Sequence, residues 1–207
     1  MFITLEGPEG GGKTTQAQKL VSWLRAQGKD VLAVREPGGT GISDAVRHIL
    51  LDFASANMDA RAELLLFCAS RAQLVSEKIK PYLANGGIVV CDRFADSTLA
   101  YQGYGRGLDL PTLRQLLNFA TYGLRPDLTL LLDVDVDAGL QRKAGDEEWN
   151  RLDAETIDFH RRVRAGYLAL AAEEPLRYQV IQAAEPLEQV AAQIQRSVSL
   201  ALERRSS

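Results

Sequence analysis

The sequence predicts an α/β fold in three layers, a five-stranded parallel sheet covered by helices on both faces. Two observations predict it. Five short apolar runs, Phe2–Leu5, Val31–Val34, Ile88–Cys91, Leu128–Val134 and Tyr178–Ile181, alternate with stretches of helical periodicity. Continuous apolar runs suit strands buried on both faces, because each crossover lays a helix over the sheet. The first run also leads straight into Gly7-Pro8-Glu9-Gly10-Gly11-Gly12-Lys13-Thr14. A helix follows that loop, with Ala17, Leu20, Val21 and Leu24 at i, i+3, i+4 and i+7.

The remaining helices have readable ends. Ser43 is expected to cap one running to about Leu51, and Glu63–Ala84 reads as one long helix with Pro81 near its end. Asp109 and Pro111 open another, with Leu113, Leu116, Leu117 and Ala120 on one face and Gly123 as its stop. A further helix is expected from about Ala154 to Ala172. The last carries Leu187, Val190, Ala191, Ile194 and Val198 on one face, before a frayed tail at Arg204-Arg205-Ser206-Ser207. Lys143–Arg151 is polar and lacks periodicity; it is either a solvated loop or a lid. With no repeat and no low-complexity linker, residues 1–207 read as one domain.

Composition excludes several classes. A net charge of −3 gives no broad attraction to nucleic acid. Cys68 and Cys91 have no zinc-ligand spacing and make no disulfide framework. There is no signal-peptide pattern and no apolar run long enough to span a bilayer, so the cytoplasm is the expected location. His48 and His160 fall in helices and read as helix residues, not catalysts.

The loop carries the chemistry. Gly7–Thr14 fits G-x-x-x-x-G-K-[ST] in the strand–loop–helix context that the motif needs. Backbone N–H groups at the helix N-terminus gather around an anion. Lys13 reaches outer phosphates, and the Thr14 hydroxyl can hold Mg2+. The third strand ends in Asp92-Arg93-Phe94. An acid there is placed for Mg2+, and the adjacent arginine for a second phosphate, as a kinase with a phosphorylated acceptor requires. The strand-end D-x-x-G and the N-K-x-D of GTPases are absent in place.

Several further motifs resemble those of bacterial thymidylate kinases. They are Glu36-Pro37-Gly38-Gly39-Thr40, Asp92-Arg93-Phe94 with Ser97-Thr98 and Ala100-Tyr101-Gln102-Gly103, Arg125-Pro126-Asp127-Leu128-Thr129, and Asn150-Arg151-Leu152-Asp153-Ala154-Glu155. The resemblance runs from Phe2 to about Ala184. It implies a P-loop kinase fold with a short lid at residues 143–151, ATP with Mg2+ as donor, thymidine 5′-monophosphate (dTMP) as acceptor, and a homodimer. Helices Asp109–Gly123 and Glu63–Ala84 are candidates for the dimer interface.

The resemblance also assigns residues. ATP is expected on Gly7, Pro8, Glu9, Gly10, Gly11, Gly12, Lys13, Thr14 and Thr15, with Thr14 and Asp92 on the metal. For dTMP it implies Glu36, Arg47, Phe67, Arg71, Arg93, Ser97, Thr98, Tyr101 and Gln102. Phe67 and Arg71 are four apart and share a helix face, to stack on and hydrogen-bond the base. Arg47 equally suits a plain helix surface. Glu9 is expected near Arg93 and the acceptor sugar. One family subtype carries an arginine in the loop where this chain has Gly10, so a lid arginine is expected to act. Arg142 is the first choice and Arg151 the second, with Lys143 third. A cation that some members carry within the lid aligns here with Asp146. A kinase for another nucleotide or deoxynucleoside, a switch ATPase with no small acceptor, and an inactive binding module remain as alternatives.

Overall fold

The computed structural model describes residues 1–144 and 149–206, without the side chain of Ser206. Its sheet is five-stranded and wholly parallel, in the order β2-β3-β1-β4-β5. The strands are β1 (Phe2–Glu6), β2 (Val31–Arg35), β3 (Ile88–Asp92), β4 (Leu128–Asp133) and β5 (Tyr178–Gln182). The inner strands β1 and β4 are buried at every residue, whereas the edge strands β2 and β5 are partly exposed. This is why the inner strands read as unbroken apolar runs. Four of the strands extend one residue beyond the apolar run, onto Glu6, Arg35, Asp92 and Gln182. Chemistry-bearing side chains therefore stand at the carboxyl ends of β1 and β3, where ligands bind in open α/β sheets.

Period-two alternation divides the core. Ile3, Leu5, Val90, Leu130 and Leu132 face helices α1 (Lys13–Ala26) and α9 (Leu187–Ser206). Phe2, Val89, Cys91 and Leu131 face the opposite side. There α2 (Gly41–Leu51) precedes α3 (Ala60–Leu74), which passes through a π-helical stretch, Val75–Ile79, into α4 (Lys80–Ala84). The expected helix from Glu63 thus starts earlier, because Asp59 accepts from Arg61 N and caps it. Helix α5 (Ala95–Thr98) continues into π-helical Leu99–Gly105, followed by α6 (Leu110–Ala120), α7 (Val136–Lys143) and α8 (Ile157–Glu173).

Some expectations are corrected. Thr40, not Ser43, caps α2: its Oγ1 accepts from Ser43 N, while Ser43 Oγ donates to Ser70 O at 2.8 Å. Helix α8 begins at Ile157 because Thr156 caps it. The tail stays helical to Ser206, and Arg205 bonds Asp127 at 3.0 Å. Helix α7 and the Ala95–Gly105 helix were not expected. Lys143, the first residue of the expected lid, ends α7, and lid residues 145–148 lie outside the described residues. No helix among the described residues is long and apolar enough to cross a membrane.

Candidate active site

The loop after β1 leads directly into α1. Gly12 caps α1 in the left-handed conformation, φ 77°, and no side chain covers the first N–H groups. Those donors remain directed at whatever sits in the loop. Gly10, at φ 68°, lies on α7: a Cβ there would come within 2.0 Å of Gly139 O. Position 10 can therefore carry no arginine unless α7 moves. Lys13 Nζ folds back onto Pro8 O at 2.7 Å. Burial and the charge of Arg93 lower its ammonium to a pKa of about 8. Thr14 Oγ1 donates to Asp92 at 2.6 Å, so two hard oxygen donors stand together beside the loop. Thr15 is exposed in the first turn of α1.

Arg93 crosses from β3 to the same loop. Its Nη2 donates to Glu9 Oε1 at 2.6 Å and Tyr101 OH at 3.2 Å; its Nη1 reaches Gly7 O at 3.1 Å. Tyr101 OH also donates to Glu9, at 2.5 Å. Burial alone would raise the Glu9 carboxyl, but Arg93 and Lys13 overcome it and hold the pKa at about 2. One carboxylate thus responds to both the cation of the loop and the cation that follows β3.

A second arginine lies deeper. Arg71 on α3 is 1% exposed. It donates through Nε to Glu36 at 2.7 Å, through Nη1 to Thr98 Oγ1 at 2.9 Å and through Nη2 to Phe94 O at 3.0 Å. Glu36 follows β2 and precedes a cis bond to Pro37. Burial raises the Glu36 carboxyl above its usual range even beside Arg71, and its Oε1 has no partner among the described residues. Phe67 is half-buried one turn before Arg71. Arg47 donates to Pro37 O at 3.1 Å, and Gln102 to Glu63 at 2.8 Å.

The two candidate finger arginines lie in different surroundings. Arg151 is buried: Nη1 pairs with Glu63 at 2.6 Å and Nε donates to Leu50 O at 2.9 Å. Arg142 is exposed on α7 and donates to Ala183 O, just beyond β5, at 2.9 Å. Lys143 is half-buried at the end of α7, and Asp146 lies outside the described residues.

Sequence reading missed several residues here. Glu6 and Tyr167 stand behind Arg93. Glu63 joins Arg151, Arg106 and Gln102. Asp153 is raised to about 6 by burial and by the charge of Glu9. Long-range pairs of this kind leave no local pattern. His160 is buried with Nε2 at 3.3 Å from Asp153 O, a satisfied helix residue as read.

The family model described as thymidylate kinase matches residues 5–194. A thymidylate kinase of Roseiflexus sp. is 52% identical, over 94% of this chain and 91% of that protein. One of Desulfovibrio desulfuricans is 50% identical, over 99% and 98%. The crystal structure of thymidylate kinase from Ehrlichia chaffeensis superposes with a TM-score of 0.79 at 36% identity, covering 96% of this chain and 98% of that one. The chain belongs to the thymidylate kinase family, ATP-dependent nucleoside monophosphate kinases that phosphorylate dTMP.

Proposed function

We propose that ATP sits on Gly7–Thr15 with Lys13 at its outer phosphates, and that dTMP lies between Arg93 and the Arg71–Phe67 pocket. The observation that carries this reading is that Arg93 meets the loop at Glu9 and Gly7 O, at 2.6 and 3.1 Å, while Lys13 meets it at Pro8 O, at 2.7 Å. Cations for two phosphates therefore border one loop. The acceptor needs no general base. A phosphate monoester has its second pKa near 6, so its oxygen is already a dianionic nucleophile at neutral pH. That oxygen forms the new bond to the γ-phosphorus. The bond to the bridging oxygen breaks, and ADP leaves with the electron pair.

The barrier is electrostatic. Two unit charges at ~4 Å repel by about 4 kcal/mol at an effective dielectric of 20. Lys13 and Arg93 offset this from the two sides. Thr14 and Asp92 fit Mg2+, which tolerates one or two protein oxygens and keeps waters and phosphate oxygens for the rest. When bound, Mg2+ would neutralise charge on the β- and γ-phosphates.

Arg142 supplies the remaining cation in this reading, with residues 143–151 as a lid. Arg151 is the weaker choice. To act as the finger it would have to give up its buried bonds to Glu63 and to Leu50 O, whereas among the described residues Arg142 would leave only the Ala183 carbonyl. At the base, Arg71 and Thr98 read the ring edge and Phe67 stacks on its face. Arg47, Glu36, Ser97, Tyr101 and Gln102 line the pocket. A homodimer is part of the proposal. Exposed Ile49, Phe53 and Leu65 on the α2–α3 side, and Phe119 and Tyr122 at the end of α6 and just beyond it, are apolar surfaces for it. The working compartment is the cytoplasm.

A coupled assay with ATP and a panel of nucleoside monophosphates tests the reading. ADP formation should be fastest with dTMP, with only modest discrimination against dUMP, because one methyl contributes about 1 kcal/mol. ATP hydrolysis indifferent to every monophosphate would overturn it.

A further inference from the structure

Arg93 has a backbone that its side chain does not favour. It and Tyr122 are the non-glycine residues at positive φ among the described residues, and Arg93 sits at φ 68°. Such a conformation is uncommon where a Cβ is present, and it persists when the surroundings enforce it. The surroundings here converge on one buried group that phosphoryl transfer does not otherwise use.

Glu6, the last residue of β1, is fully buried. Its Oε1 accepts from Phe94 N at 2.7 Å, fixing the peptide that leaves Arg93. Its Oε2 accepts from Ser97 Oγ at 2.6 Å and from Tyr167 OH at 3.0 Å. The same two hydroxyls accept from Arg93 Nη1, at 3.4 Å and 3.2 Å. A hydroxyl that donates its single hydrogen to a carboxylate keeps lone pairs for the guanidinium. Glu6 therefore governs both the turn that follows Arg93 and the groups that aim it, without touching the arginine itself. Burial and the charge of Asp96 raise the Glu6 carboxyl to about 7, so this location is costly for a carboxylate.

We propose that Glu6 is a positioning residue for the acceptor phosphate, holding Arg93 in its left-handed conformation and orienting Ser97 and Tyr167 toward the guanidinium. This rests on the reading of Arg93 as the grip on that phosphate. Glu6→Gln keeps the size of the side chain and an acceptor for Phe94 N. Its amide would donate to the hydroxyls, however, and take the lone pairs that Arg93 uses.

The test measures affinity for dTMP and for thymidine, which lacks the phosphate, in the full-length protein. The ratio of the two dissociation constants reports the phosphate grip alone. Glu6→Gln should weaken dTMP about tenfold or more, as expected for disturbed bonds to a charged group, and leave thymidine within about twofold. A merely structural role would weaken both ligands equally and keep the wild-type ratio, which would overturn the proposal. Arg93→Met separates the two ideas. If it collapses the ratio while Glu6→Gln does not, the role of Glu6 is wrong. If it leaves the ratio unchanged, the reading of Arg93 is wrong and this proposal falls with it. Should Glu6→Gln fail to fold, Tyr167→Phe decides: a smaller loss confined to dTMP supports the proposal, and an unchanged ratio overturns it.

Discussion

Arg93 and Arg71 make the same kind of bond in different surroundings. Each guanidinium meets a glutamate at 2.6 Å, Glu9 for Arg93 and Glu36 for Arg71. Arg71 and Glu36 are 1% and 3% exposed at their side chains, whereas Arg93 and Glu9 are 17% and 15% exposed. The deeper pair spends its donors on Thr98 Oγ1 and the Phe94 carbonyl and forms a fixed wall. The shallower pair opens on the loop, where a phosphate can take a share of the guanidinium. A neutral base edge suits a fixed wall, and a dianion that must approach a second polyanion suits a cation that can follow charge. Both arginines hang from the segment around Phe94. Its carbonyl accepts from Arg71, and its N–H is held by Glu6 behind Arg93.

Mutations that break one pair should expose this division. The largest effect is expected from Arg93→Met, with kcat lowered about 10³-fold or more, since arginines on transferring phosphates contribute ~10³–10⁵. Steady-state kinetics at saturating ATP check it, and turnover within a few-fold of wild type would remove Arg93 from the reaction. Arg142→Ala should lower kcat by about 10²-fold or more. A rise in KM for ATP with kcat nearly kept would instead place Arg142 against the donor's base or sugar.

Arg71→Met should act on binding and on the fold. The KM for dTMP should rise far more than that for ATP. Because Glu36 would remain buried without its partner, stability should fall by about 3–5 kcal/mol, and Arg93→Met should cost clearly less. Denaturant unfolding of the two variants compares them, and equal losses would contradict the contrast drawn between the pairs. The smallest effect concerns pH. Glu9 has its pKa lowered to about 2 from 4.5, so its contribution to stability is present above about pH 4.5 and lost as pH falls toward 2. Glu9→Gln should flatten acid unfolding across that window and leave the rest of the curve unchanged in shape.

Legibility in the sequence followed the same division. The donor side was readable because Gly7–Thr14 is contiguous and its strand and helix are strongly patterned. The strands were found from burial, yet the hydrophobic runs stop just before Glu6 and Asp92, the polar strand ends that matter most. Helix α7 was missed because it has eight residues and buries only Val136 and Gly139. The Ala95–Gly105 helix was hidden by its glycines and tyrosines. Ser43 and Thr40 both suit a cap, and only the geometry separates them. On the acceptor side, Glu6 meets Phe94 across 88 residues and Tyr167 across 161, pairings set by sheet order and helix packing. The resemblance supplied Arg71, Thr98 and Tyr101 there; it did not supply Glu6, Glu63 or Tyr167.

The central claim is that one loop serves two phosphates, with Glu9 responding to both of their cations. A crystal structure with dTMP and a non-hydrolysable ATP analogue tests it most directly. The account predicts the acceptor phosphate within hydrogen-bond distance of the Arg93 guanidinium and the donor phosphates on the amides after Gly10 and on Lys13. An acceptor phosphate seated away from Arg93, with that guanidinium still closed on Glu9, would contradict it.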